Sequence, residues 1–161
     1  MKKLLLLLFS AFSLIVSCKK KTPEPFKGYL RMNINGAMLD YSKNANATRP
    51  NPASNYIKIS GFCTDGNFGS FGIEFPNAVL GETKITDNFY SLRFTLYGID
   101  NTNYYAGDGG ISGGVIGSGK ISMLELSNEY VKGTFDFITG PDGVTNAQKA
   151  VSNGEFHLKR E

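Results

Sequence analysis

What most constrains this chain is an alternation of apolar side chains at every second position, in short runs closed by Asn-Gly, Asp-Gly or Gly-rich turns. Successive side chains of a strand point to opposite faces, so this period buries one face and wets the other. No stretch keeps a helical period long enough for a helix. The fold class is all-β, expected as an antiparallel β-sandwich of short strands and hairpins, with a partly closed β-barrel as the alternative.

Register can be tested from the sequence, because a slip of one residue sends every side chain to the wrong face. In "LRMNINGAMLDY" a two-residue turn at Asn35-Gly36 sets Ile34 opposite Ala37, Met32 opposite Leu39 and Leu30 opposite Tyr41. Such a dipeptide suits a type I′ hairpin. In "YIKISGFCTDGNFGSFGIEF" a two-residue turn at Asp65-Gly66 would place Ile57 against Glu74. A three-residue loop over residues 65–67 instead sets Ile57 against Phe75, Ile59 against Ile73 and Gly61 against Phe71, with Cys63 in the inward phase.

The stretch "GGVIGSGKIS" contains GxxxxGK, from Gly114 to Lys120, which is the start of the phosphate-cradling P-loop pattern. That loop needs a following helix and a hydroxyl residue after the lysine. Here Ile121 follows, and "KISMLELSNEYVKGTFDF" alternates as a hairpin. A three-residue loop over residues 127–129 sets Lys120 opposite Asp136, Ile121 opposite Phe135, Met123 opposite Gly133 and Glu125 opposite Val131. No nucleotide is expected, and Lys120 is expected to pair across the strands with Asp136.

Residues 1–17 read as a signal peptide. Lys2 and Lys3 precede the apolar run "LLLLLFSAFSLIV", too short for the roughly 20 residues that span a bilayer as a helix. The ending "IVSC" resembles the lipobox of bacterial lipoproteins, which implies that Cys18 carries diacylglycerol and becomes the mature N-terminus. Residues 18–25 are then a lipidated cysteine and flexible tether, "CKKKTPEP", and residues 26–161 a single β-rich domain. With Cys18 consumed, the second cysteine, Cys63, has no cysteine left to bridge to, and a buried thiol is expected.

The charge divides along the same boundary. Five of the 17 basic residues precede Phe26, leaving 12, whereas only Glu24 of the 14 acidic residues does, leaving 13. The domain is near neutral, so no face for nucleic acid is implied. The basic tether sits where anionic lipid headgroups would attract it.

Reactive chemistry is sparse. His157 is the sole histidine, expected on the outward face of the last strand. One histidine and one available cysteine make no zinc site of nitrogen and sulfur ligands, and no GxSxG elbow is present. "TDGN" and "GPDG" read as turns, without the run of acidic ligands that calcium uses. No catalytic residue, cofactor or metal is assigned. The candidate binding residues come from "YGIDNTNYYAGDGG": Tyr97, Tyr104 and Tyr105 beside Asp100 and Asp108, an aromatic and carboxylate cluster able to hold a sugar ring or a peptide side chain.

"GKISMLELSNEYVKGTFDF" followed by "VSNGEFHL" resembles the closing pattern of a family of uncharacterised Bacteroidota lipoproteins, with a lipobox signal, a polar tether and one β-rich domain. The resemblance implies a membrane-anchored envelope lipoprotein acting as a non-catalytic binding or interaction module, its partner an unknown protein or small molecule. An enzyme of envelope polymers and a structural assembly module are the alternatives. It also implies an outer-membrane location. Lys19, Lys20 and Lys21 stand where surface-exported members tend to carry acidic residues, so the periplasmic face is expected over the cell surface.

Overall fold

The computed structural model describes residues 25–50, 55–64, 68–86, 92–108, 114–142 and 145–161. Residues 1–24, which hold the expected signal peptide, Cys18 and most of the expected tether, lie outside the described residues, as does the expected loop over residues 65–67.

Among the described residues twelve strands follow in chain order: β1 (Tyr29–Ile34), β2 (Ala37–Asp40), β3 (Asn46–Thr48), β4 (Ile57–Phe62), β5 (Phe68–Phe75), β6 (Gly81–Lys84), β7 (Arg93–Gly98), β8 (Asn103–Asp108), β9 (Val115–Ile116), β10 (Ser118–Leu126), β11 (Tyr130–Ile138) and β12 (Ala150–Lys159). They form two six-stranded antiparallel sheets, ordered β2-β1-β12-β11-β10-β6 (sheet A) and β3-β4-β5-β7-β8-β9 (sheet B). The sheets are not closed into a barrel, and the architecture is a β-sandwich. At one edge Ala47 of β3 makes a single parallel bridge to Arg160, just beyond β12.

The interior is the inward phase of both sheets. Sheet A contributes Leu30, Met32, Ile121, Met123, Phe135, Phe137 and Phe156, and sheet B contributes Ile57, Ile59, Phe71, Ile73, Phe94 and Leu96, all buried. Aromatic rings bridge the layers: Phe71 stacks on Phe135 with centroids 5.2 Å apart, and Phe94 on Phe137 at 4.5 Å. Offset contacts of this kind contribute about 0.5–1.5 kcal/mol each beyond the area they bury. Cys63 is buried among this cluster, in the phase expected for it.

Two of the expected hairpin registers hold throughout. Ile34 pairs with Ala37 and Met32 with Leu39, and Asn35 and Gly36 take φ of 49° and 87°, as a type I′ turn requires. Ile57 pairs with Phe75, Ile59 with Ile73 and Gly61 with Phe71.

The third register holds only in part. Lys120 faces Asp136, Ile121 faces Phe135 and Met123 faces Gly133, but a bulge at Leu124 then shifts the ladder by one. Glu125 therefore lies opposite Lys132 rather than Val131, and Leu126 takes the place beside Val131. The hairpin closes with Ser127 N–H donating to the Tyr130 carbonyl at 3.0 Å, leaving Asn128 and Glu129 as its tip. The physical gain is clear: the extra residue turns the charged Glu125 away and lets half-buried Leu126 reach the core.

The expected Lys120–Asp136 ion pair is also corrected. Lys120 Nζ lies 3.0 Å from Glu82 on β6, and this contact holds Glu82 below the usual carboxylate range. Asp136 is engaged elsewhere. Asn153, at φ 51°, makes a bulge in β12, and its N–H donates to Asp136 Oδ1 at 3.0 Å. The bulge moves β12 from Val151 inward to Gly154 inward across an interval of three, which keeps Phe156 and Leu158 in the core.

Candidate ligand-binding face

Sheet B turns a polar face to solvent. Antiparallel register aligns its outward residues into rows that cross the strands. One row runs Asn46, Ser60, Gly72, Thr95, Tyr105 across β3, β4, β5, β7 and β8. Beside it run Phe62, Ser70, Tyr97 and Asn103 on one side, and Thr48, Lys58, Glu74 and Arg93 on the other. The short side chains of Ser60, Gly72 and Thr95 in the middle row, with Phe62 and Tyr97 on one side and Lys58 and Glu74 on the other, make a trough of about 370 Å³.

Its floor is built by the same alternation that fills the core. In "IKISGF" Ile57 and Ile59 are buried, so Lys58, Ser60 and Phe62 face out. In "FGSFGIEF" the burial of Phe71, Ile73 and Phe75 puts Ser70, Gly72 and Glu74 on the same side. Gly72 leaves the floor open: a Cβ there would meet only the Ile59 carbonyl oxygen, at 3.9 Å. Phe62 is 52% exposed and Tyr97 44% exposed, so two rings stand on the wall with a serine between them.

The polar groups are partly organised already. Ser60 Oγ donates to Asn46 Oδ1 at 2.5 Å, and Asn44 Nδ2 donates to the Phe62 carbonyl at 3.4 Å. Glu74 is held between Lys58 Nζ at 3.7 Å and Arg93 at 3.9 Å. Burial, and then the charge of Glu74, push the nearby Tyr56 hydroxyl above its ordinary value.

The five residues taken from "YGIDNTNYYAGDGG" do not form one site. Tyr97 lies in the trough wall, and Tyr105 ends the middle row on β8. Tyr104 points the other way, buried opposite Leu96, with Lys149 Nζ 4.8 Å above its ring. Asp100 serves the β7–β8 turn. Its carboxylate accepts the Thr102 N–H at 3.0 Å, and hydrogen bonds from Thr102 hold it below the usual carboxylate range. Tyr104 and Asp100 border a separate hollow of about 330 Å³ at the end of the sandwich, with Phe68, Ile99 and Lys149. Asp108 ends β8, and its side chain lies outside the described residues. The reason for the separation is the strand period: neighbours in sequence point to opposite faces.

Phe62, Ser60, Ser70, Asn46 and Thr95 were not among the candidates read from sequence. The signal for Phe62 was present in its phase, outward beside Lys58 and Ser60, where an aromatic has no core to fill.

A larger depression lies elsewhere, a groove of about 520 Å³ on the outer face of sheet A along Lys84, Ile85, Gly119, Lys120, Ile138 and Ala150. Its lining is mainly aliphatic and backbone, and both lysines already pair with Glu82. Gly119 and Lys120 lie within β10, so the GxxxxGK stretch does not lead into a helix. Exposed aromatic rings beside a row of hydrogen-bonding side chains are found in the sheet B trough, which we take as the candidate site.

His157 is on the outward face of β12, as expected, but it is half-buried rather than exposed. Phe26, Tyr29 and Tyr130 surround its ring at centroid distances of 4.8, 6.0 and 5.9 Å, and Glu125 lies 3.7 Å from Nε2. The cluster pins Phe26, where the chain enters the domain. At the other expected turn, "GPDG", the buried Asp142 carboxylate accepts the Thr145 N–H at 2.5 Å and the Ala147 N–H at 3.2 Å. Among the described residues no group of three His, Cys, Asp or Glu side chains converges to hold a metal, and no helix is long and apolar enough to cross a membrane. No protein-family model, curated protein or solved structure matches the chain.

Proposed function

We propose that this protein is a membrane-anchored envelope lipoprotein, held to the outer membrane through lipidated Cys18, whose β-sandwich is a non-catalytic binding module. The observation that carries the binding reading is the trough on sheet B, where two exposed rings and a row of hydroxyl and amide side chains converge over a glycine. Exposed aromatics beside placed polar groups are what a small-ligand site requires. The trough carries one carboxylate, Glu74, already held by Lys58 and Arg93, which favours binding over acid–base chemistry. The tether of "KKKTPEP" supports a domain carried close to the membrane, and its lysines support the periplasmic leaflet.

The test is saturation-transfer NMR on full-length detergent-purified protein with a panel of neutral oligosaccharides, anionic sugars and short peptides. At least one class gives a saturable signal that is lost in Gly72→Phe, a variant that fills the trough from its open floor. A panel in which no class gives a signal lost in Gly72→Phe overturns the binding reading.

A further inference from the structure

We infer that the trough binds a neutral saccharide chain, an inference that rests on the trough being a binding face. The first ground is the kind of polar group it offers. Hydroxyls of Ser60, Ser70 and Thr95 and amides of Asn44 and Asn46 present donors and acceptors side by side. A ligand whose own polar groups are hydroxyls, each donating and accepting, is the complement of that surface.

Charge is the second ground. Lys58 and Glu74 are the two charged residues in the lining, and they lie 3.7 Å apart. The lining thus offers an ionic ligand no uncompensated partner, whereas a neutral ligand leaves the pair undisturbed.

The third ground is the spacing of the rings. Phe62, Ser70 and Tyr97 are in register on β4, β5 and β7, so the two aromatics stand two strand spacings apart, roughly 10 Å. A pyranose presents a face of C–H groups that an aromatic ring covers, and this separation is comparable with the length of a disaccharide. Two rings at such an interval grip a chain rather than a single sugar.

A peptide fits less well. Extended peptides gain affinity by adding a strand to a sheet edge, where backbone groups await a partner. The trough lies over β4, β5 and β7, each of which already has a hydrogen-bonded neighbour on both sides. Its lining also offers no exposed aliphatic side chain to anchor a peptide side chain.

The experiment titrates full-length protein, in a detergent without a sugar headgroup, with cellohexaose, chitohexaose, maltohexaose and a neutral Ser/Asn-rich hexapeptide, by calorimetry. At least one hexasaccharide binds saturably at millimolar concentration, and its monosaccharide binds more weakly. Phe62→Ala and Tyr97→Ala each weaken binding by about tenfold, the factor that corresponds to roughly 1.4 kcal/mol. Gly72→Phe removes binding while the melting temperature stays near wild type. Because Phe62 and Tyr97 are exposed, their variants keep the question answerable if Gly72→Phe fails to fold. A hexasaccharide that binds Phe62→Ala and Tyr97→Ala as tightly as wild type lies elsewhere and overturns the inference. Binding of the peptide alone, lost in Gly72→Phe, overturns the saccharide inference and leaves the binding face standing. Absence of binding by every probe overturns the saccharide inference, while the binding face is decided by the wider panel that also holds anionic sugars.

Discussion

The ring of Phe135 lies directly over Gly154, its cross-strand partner on β12, so closely that a Cβ on Gly154 would fall 2.4 Å from the ring. Gly133 and Phe156, also paired across β11 and β12, repeat the arrangement with the roles of the strands exchanged. Phe135 cannot retreat, because it is buried and stacked on Phe71 of the opposite sheet. Gly154→Ala is therefore expected to destabilise the fold by about 1–3 kcal/mol through overpacking. Gly72→Ala is the control, since its Cβ enters open space, and it should leave stability unchanged or raise it by about 0.4–1 kcal/mol. Urea unfolding of both variants checks this. Equal effects would show that the ring contact does not decide the cost.

Lys120 offers a test of which carboxylate it serves. Its register partner is Asp136, yet its ammonium lies at Glu82, and Asp136 holds the Asn153 bulge. Double-mutant cycles by chemical denaturation should find a larger coupling between Lys120→Ala and Glu82→Ala than between Lys120→Ala and Asp136→Ala. The first coupling should shrink in high salt, because the pair is exposed. Coupling concentrated on Asp136 would contradict the arrangement.

These positions also mark what the sequence could tell. Hairpin register was legible wherever alternation ran unbroken, as at Asn35-Gly36 and between Ile57 and Phe75, because one wrong step would have buried a charge. It failed past Met123 and left Ser152-Asn153 unread, since a bulge inserts a residue without altering composition. The binding residues were harder. Tyr97 and Tyr105 could be found as aromatics, but grouping them with Tyr104 and Asp100 treated closeness in sequence as closeness in space. Phe62 and Thr95 line one trough only because β4, β5 and β7 lie side by side, which is a fact of sheet order and not of any single strand.

Cys18 is expected to be acylated. Mass spectrometry of membrane-extracted protein should find a mature chain that starts at lipid-modified Cys18, and Cys18→Ser should release the protein from the membrane fraction. A mature chain that begins elsewhere, or an unmodified Cys18, refutes the anchor.

Stability should fall in acid. Ser42, through its hydroxyl and its N–H, holds Asp40 below the usual carboxylate range, while Lys120 does so for Glu82 and Thr102 for Asp100. A carboxylate depressed in the folded state contributes stability that is fully present above its unfolded value, about pH 4, and is lost as pH falls through the folded value. The melting temperature should therefore drop progressively below about pH 4. Asp40→Asn should flatten that drop and lower the plateau at neutral pH. An unchanged acid profile in Asp40→Asn would remove Asp40 from the account.

Cys63 reports on the register of β4 and β5 from inside the core. It is 6% exposed, follows Phe62 into the interior, and its N–H donates to the Gly69 carbonyl at 2.9 Å. A thiol-specific reagent should therefore label the native protein slowly and the urea-unfolded protein fast, since the thiolate must first reach solvent. Protection should weaken in Gly154→Ala, because loosening the Phe135 stack raises the population of opened molecules from which the thiol is reached. Native labelling as fast as that of the unfolded chain would place Cys63 on the outer face, and with it would reverse the phase of Ser60 and Phe62 on which the trough depends.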